Sequence, residues 1–182
     1  DTVFALNPLL EPITSTTLEL GTKHAINFDN LFLHAVNYEL SLYSISVKND
    51  IIPYQGGRFY FTAGETSRIG AEFGATLMFD EGLTLRTAVT YSNNRYEDYK
   101  VDSVHYDKTK INRFADYSEN KVAGIPDLFY NLELKYTPTF FNHLFIQMSL
   151  SGVGEYFVDD ANTITVPNYN ILSFSFGTNK EI

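Results

Sequence analysis

Hydrophobic and polar residues alternate with period two along most of this chain, in runs rich in Thr, Val, Ile, Phe and Tyr. Successive side chains of an extended strand point to opposite faces, so such runs predict strands with one apolar and one polar face. Between Pro126 and Pro138, Leu128, Tyr130, Leu132, Leu134 and Tyr136 oppose Asp127, Phe129, Asn131, Glu133 and Lys135. From Arg68 to Phe79, Ile69, Ala71, Phe73, Ala75, Leu77 and Phe79 oppose Arg68, Gly70, Glu72, Gly74, Thr76 and Met78. The same holds for Leu83 to Ser92, for Leu144 to Ser151 and for Leu172 to Gly177. Two further strands are less regular. Thr16 to Lys23 is short and half polar, and Leu31 to Val47 changes phase, from Val36, Tyr38, Leu40 and Leu42 to Tyr43, Ile45 and Val47. A bulge near Leu42 and Tyr43 is the expected cause. The chain reads as all-β with seven strands, and helical templates fit it poorly.

The connections sort by length. Ala25 to Asn30, Asp80 to Gly82 and Thr139 to Asn142 are short, whereas Lys48 to Ser67, Asn93 to Ile125 and Phe157 to Val166 are long and polar. In an antiparallel meander alternate connections emerge at the same end, so one end carries every short turn and the other every long loop. That asymmetry is the mark of an outer-membrane β-barrel, and a soluble sandwich has no reason to show it. Five of the runs are also near the 9–11 residues that a strand tilted by about 45° needs to cross a bilayer. In such a barrel the apolar face meets lipid, while Arg86, Glu72, Glu133 and Lys135 face a wet lumen. Alternation alone fits a soluble barrel with the faces reversed; the loop asymmetry and the aromatics flanking the strands favour the membrane.

Composition narrows the function. The 182 residues suffice for one domain, and the net charge of −9 lacks the basic footprint that phosphate backbones require, so no nucleic-acid partner is expected. With no Cys, disulfides, thiolate zinc sites and thiol nucleophiles are excluded. The longest apolar run, Val3 to Leu6, is far shorter than a spanning helix of roughly 20 residues. The chain opens on Asp1-Thr2-Val3 without an initiator Met or a secretory signal, so a preceding segment is expected to have been removed or to be missing.

No catalytic group stands out, and neither cofactor nor metal is expected. His24, His34, His105 and His143 are dispersed, without zinc-ligand spacing. Ser103, His105 and Asp107 match triad residue types only in sequence, and Gly64 to Gly70 lacks the Gly-Lys-Ser/Thr ending of a phosphate loop. Glu72 and Glu133 are ordinary for a wet lumen. The informative region is Asn94 to Pro126, where six basic and six acidic residues are interleaved with Tyr96, Tyr99, Tyr106, Phe114 and Tyr117. Aromatic rings with a polar tip bind small molecules at low entropic cost, so Arg95, Tyr96, Tyr99, Tyr106, Arg113 and Tyr117 are candidate ligand contacts. Tyr54, Arg58 and Tyr60 form a second candidate group, since an Arg beside aromatics suits a carboxylate- or catecholate-bearing ferric chelate. An ordinary solvated loop has the same composition.

Several stretches carry a family likeness. Asn7-Pro8-Leu9-Leu10-Glu11-Pro12, followed by Ser15 to Lys23, resembles the "NPxLxPExSxxxELGxK" segment of TonB-dependent outer-membrane receptors. In the same order, Val47 to Tyr54 is similar to a strand end and loop start of that family. Ala63 to Glu72 resembles its "NAGKxRRxGxE" element, and Val122 to Pro126 its "VPGxP". The resemblance implies part of an antiparallel up-and-down transmembrane β-barrel, about seven or eight strands of a larger one, in the bacterial outer membrane. By the same resemblance the function is not enzymatic. It is uptake of a scarce nutrient, most often a ferric siderophore, with outer-membrane lipid, the small-molecule ligand and TonB as partners. The plug that contacts TonB and the closing "NLFD" segment with its terminal aromatic have no counterpart here. Residues 1–182 are therefore expected to be one barrel piece that ends before the last strands. A complete small barrel of porin or adhesin type, or a soluble β-sandwich binding module, stays open at this point.

Overall fold

The computed structural model describes residues 12–29, 32–54, 59–102, 114–141 and 144–178. Eleven strands follow in chain order: β1 Thr14–Asn27, β2 Leu33–Tyr54, β3 Phe59–Phe79, β4 Leu83–Asp98, β5 Lys100–Asp102, β6 Phe114–Asp116, β7 Leu128–Tyr136, β8 Leu144–Val153, β9 Tyr156–Phe157, β10 Thr165–Val166 and β11 Tyr169–Thr178. Seven form one antiparallel sheet in the order β1-β2-β3-β4-β7-β8-β11, every neighbour also next in sequence among those seven, as in a meander. The remaining strands make two small ribbons, β5-β6 and β9-β10, within the long connections. No α-helix occurs among the described residues. No second large sheet faces the first among them, so the sandwich alternative is not the fold. Nor do β1 and β11 pair with each other, so the sheet is open.

The two faces follow the sequence pattern. Leu20, Leu42, Phe73, Leu132, Met148 and Phe174 share the convex outer face and are exposed. Phe176, on the edge strand β11, is 88% exposed. A row of large apolar side chains across every strand has no place against water, since contiguous exposed apolar patches on soluble monomers reach only a few hundred Å². It fits lipid.

The phase change in β2 has a cause other than the expected bulge. Pairing with β1 is unbroken from Thr14↔Lys48 to Asn27↔Ala35, and pairing with β3 is unbroken from Ala35↔Met78 to Lys48↔Glu65 and keeps the same register on to Tyr54↔Phe59. The alternation itself never slips at Leu42; the polarity of each face inverts. On the outer face Val36, Tyr38, Leu40 and Leu42 give way to Ser44, Ser46 and Lys48. On the inner face Asn37, Glu39 and Ser41 give way to Tyr43, Ile45 and Val47, the last only 8% exposed. A strand leaving the apolar band must do this, because its outer face passes from lipid to water while its inner face meets the packed base of the loops. The register shift against β3 lies at the start of the strand, between Leu33 and Ala35, and a left-handed residue lies further on, at Asn49 with φ 58°. Left-handed geometry there returns Asp50 to the inner side, where its carboxylate accepts the Thr66 hydroxyl at 3.2 Å.

The segment Lys48 to Ser67, expected as a loop, is mostly strand. At 22 and 21 residues, β2 and β3 continue past the bilayer as a projecting hairpin, leaving only residues 55–58 between them. At about 3.3 Å per residue such strands reach well beyond the ~25 Å apolar band. The short connections stay short. Asp80–Gly82 forms a 3₁₀ turn in which Gly82 takes φ 79°, where any side chain would also collide with the Thr137 carbonyl. Thr139–Phe141 forms another, with Phe140 and Phe141 exposed at the same end as Phe32. This aromatic rim suits a membrane–water boundary.

Candidate functional site

The long connections meet above the apolar band, and β4 organises them. Its pairing with β3 shifts between Thr66↔Tyr96 and Glu65↔Asp98, so Glu97 is an extra residue. The shift places Tyr96 and Tyr99, three apart, on one side: their ring centroids lie 4.7 Å apart and both side chains are 1% exposed. Tyr117, which follows β6, adds a third ring 5.5 Å from Tyr99.

What holds the pair comes from the far connection, between β8 and β11. The Tyr96 hydroxyl donates to Asp160 Oδ1 at 2.8 Å and the Tyr99 hydroxyl to Asp160 Oδ2 at 3.1 Å. Asn120 Nδ2 donates to the Asp160 carbonyl at 2.8 Å. The Lys121 N–H donates to Asn162 Oδ1 at 2.8 Å while Asn162 Nδ2 returns to the Lys121 carbonyl at 3.0 Å. Asp159 shapes its own turn, accepting from the Thr163 and Ile164 N–H groups and the Thr163 hydroxyl. The two loops are thus one hydrogen-bonded body.

Burial and the adjoining Asp160 carboxylate both disfavour phenolate, pushing the Tyr96 and Tyr99 hydroxyls well above the ordinary tyrosine value. A folded-state value raised in this way gives stability that is complete below the unfolded pKa and is lost as pH rises past it. The cluster is therefore expected to hold up to about pH 10 and to loosen above it. Absorbance titration at the phenolate band checks this: the doubly substituted Y96F/Y99F protein should lack a late-ionising phase that the parent shows.

Among the other expected site residues, Arg95 is engaged with its own loop, donating to Asn93 Oδ1 at 3.2 Å and to the Glu119 carbonyl at 2.6 Å. Backbone pairing of Pro53 with Tyr60 and Tyr54 with Phe59 puts Tyr54 and Tyr60 at the tip of the projecting hairpin. Arg58, Tyr106 and Arg113 lie outside the described residues, as do Ser103, His105 and Asp107. The structure joins Tyr96, Tyr99 and Tyr117 in one cluster. Sequence reasoning missed Asp160 and Asn162. Their signal was the turn-forming run Asp159-Asp160-Ala161-Asn162, but nothing local names partners some 40 to 64 residues away.

Below the cluster the inner wall is polar. Lys23 pairs with Glu39 at 3.5 Å, Arg86 with Glu133 at 3.1 Å, and Gln147 donates to Glu133 at 2.9 Å. Ser41 donates to Glu19 at 2.6 Å beside a shallow concavity of about 490 Å³ that also meets Glu72 and Thr90. These charges stand on the face opposite the lipid-facing row.

Known proteins share this fold. Residues 1–180 match the family described as TonB dependent receptor-like, beta-barrel. The siderophore receptor PiuA from Acinetobacter baumannii superposes with a TM-score of 0.65 at 18% identity, over 92% of this chain and 22% of that one. The ferric yersiniabactin uptake receptor FyuA from Yersinia pestis gives 0.64 at 17% identity, over 91% and 22%. The FrpB iron transporter from Neisseria meningitidis gives 0.58 at 16%, over 91% and 24%. At these identities the likeness establishes the fold, and this chain spans less than a quarter of each neighbour's length. These neighbours are transport receptors rather than enzymes, and the matched family is one of outer-membrane barrels. With a family match over nearly its whole length and an open sheet of the corresponding shape, the chain belongs to the TonB-dependent receptor β-barrel family.

Proposed function

We propose that this chain forms part of the wall and outer loops of a bacterial outer-membrane transporter that takes up a ferric siderophore with energy from TonB. The observation that carries the reading is the sheet itself, apolar outside, charged inside, and open at β1 and β11. An open sheet in a membrane needs further strands to pair its edges, so in this reading β1 and β11 continue into a larger barrel. The ligand class follows the three neighbours, which are named for siderophore or iron uptake. Tyr54, Arg58, Tyr60, Arg95, Tyr106, Arg113 and Tyr117 are the residues whose chemistry suits contact with such a ligand. Tyr96 and Tyr99 contribute by holding the loops together, since direct contact with ligand requires Asp160 to move away.

The test is uptake of radioactive iron by iron-starved cells with and without the gene, offered as single purified siderophore complexes. At least one complex should enter only when the gene is present, and a protonophore or loss of TonB should stop it. Equal uptake of every complex by both strains contradicts the reading.

A further inference from the structure

Arg68 occupies the inner face of β3, opposite Ile45 on β2 and Asn94 on β4. It stands at the junction of the polar wall and the tyrosine cluster. One step toward the loops on the same face is Thr66, fully buried and opposite Tyr96. One step the other way is Gly70, where any side chain would collide with the Tyr43 ring, so Tyr43 lies across the strand there.

That guanidinium is under-used. Its one ion pair among the described residues is long, with Nη2 3.7 Å from Asp50 Oδ2, an oxygen already accepting the Thr66 hydroxyl. Its Nε is shut off from water and has no hydrogen-bond partner among the described residues. A guanidinium offers five N–H donors in a planar fork that matches an oxyanion, and a buried donor left unpaired is unfavourable. The side chain is still about one-third exposed, at 36%, so an incoming group can reach it. Asp50 follows Asn49, whose backbone is left-handed at φ 58°, and its carboxylate lies on the side of Thr66.

We propose that Arg68 anchors an oxyanion of the transported molecule, a carboxylate or a deprotonated catecholate, with Asp50 holding the guanidinium until that group displaces it. The proposal rests on the transport function above for the molecule's identity, but the anion site is testable without it. Binding is measured on the full-length receptor in detergent with four probes: iron-free citrate, ferric citrate, a ferric tris-catecholate, and a neutral ferric trihydroxamate. For any anionic probe that binds, R68Q should weaken binding by about tenfold or more and R68K by less, because a lone ammonium keeps the charge but not the fork. D50N should tighten the same binding by roughly threefold, since it removes the competing charge and keeps an acceptor for Thr66. The neutral complex should be indifferent to all three.

A merely structural Arg68–Asp50 pair predicts that both substitutions weaken binding together, or that neither acts, and either result overturns the anion site. Ferric complexes that bind equally well to R68Q overturn it while leaving the transport function standing. Citrate binding lost in R68Q, with no ferric complex bound by the parent, keeps the anion site and removes the siderophore reading. Failure of every anionic probe to bind the parent overturns the site. Heat-modifiable migration in SDS gels confirms that each variant is folded.

Discussion

Replacing Leu132 by Arg is expected to destabilise the protein in a bilayer by about 2–4 kcal/mol, the penalty for a cation on the lipid face near the midplane. Leu132 lies at the centre of the nine-residue β7, pairs with Thr87 and Leu150 on its two sides, and points outward at 40% exposure. Its chain neighbour Asn131 points inward, where its amide donates to Ser151 Oγ at 2.9 Å. Asn131→Arg therefore places the same charge against a wet wall and should change stability far less. Guanidinium titration of the refolded receptor in vesicles reads both. In water the order would reverse, because an exposed Leu on a soluble sheet accepts Arg freely. The contrast between adjacent residues isolates the solvent on each face from every other effect of adding an Arg.

Asp160→Ala is expected to part the two loops. Each carboxylate oxygen accepts a hydroxyl from a tyrosine that is 1% exposed, and a buried hydroxyl left without an acceptor costs about 1–3 kcal/mol. The loss should stay local, because the sheet below rests on its own ladder of backbone hydrogen bonds. Hydrogen exchange should then rise at least tenfold in residues 94–102, 114–123 and 156–166, and hardly at all in β3 and β7. Y99F removes one hydroxyl with no volume change and should show a smaller increase in the same segments. Exchange unchanged in D160A would mean that the Asn162–Lys121 exchange of hydrogen bonds suffices to hold the loops.

The strand faces were legible because period-two alternation records which solvent each side meets, and β3, β4, β7, β8 and β11 have the faces read from sequence. The meander was legible from the alternation of short and long connections. The reach of β2 and β3 was not, because Asn49, Asp50, Gly56 and Gly57 are turn formers that here border or interrupt a projecting hairpin. A strand above the membrane loses the lipid-driven pattern that makes it recognisable. The phase change at Leu42 was seen but assigned to the backbone; its cause is the water boundary, which alters side-chain polarity and leaves pairing intact. Tyr96 and Tyr99 were singled out for residue type. What they bind depends on Asp160, brought in by chain topology, and on the shift at Glu97 that turns both rings to one side. Arg68 was visible as a polar position in an alternating strand and as part of the Ala63 to Glu72 element with its family likeness, and neither names a role for it. Its Nε, without a hydrogen-bond partner among the described residues, and its neighbour Asp50 on another strand are features of the folded geometry that no local pattern names.

The central claim is that the outer face of this sheet meets lipid and the inner face does not. The chain contains no Cys, so single cysteines at residues 128–136 can carry a spin label without background from this segment. Measured in liposomes holding the full receptor, oxygen accessibility should peak at Leu128, Tyr130, Leu132, Leu134 and Tyr136 and fall at Phe129, Asn131, Glu133 and Lys135. A polar relaxation agent should give the opposite alternation. Accessibility without a two-residue period, or a period with its phase reversed, would contradict the membrane-barrel account.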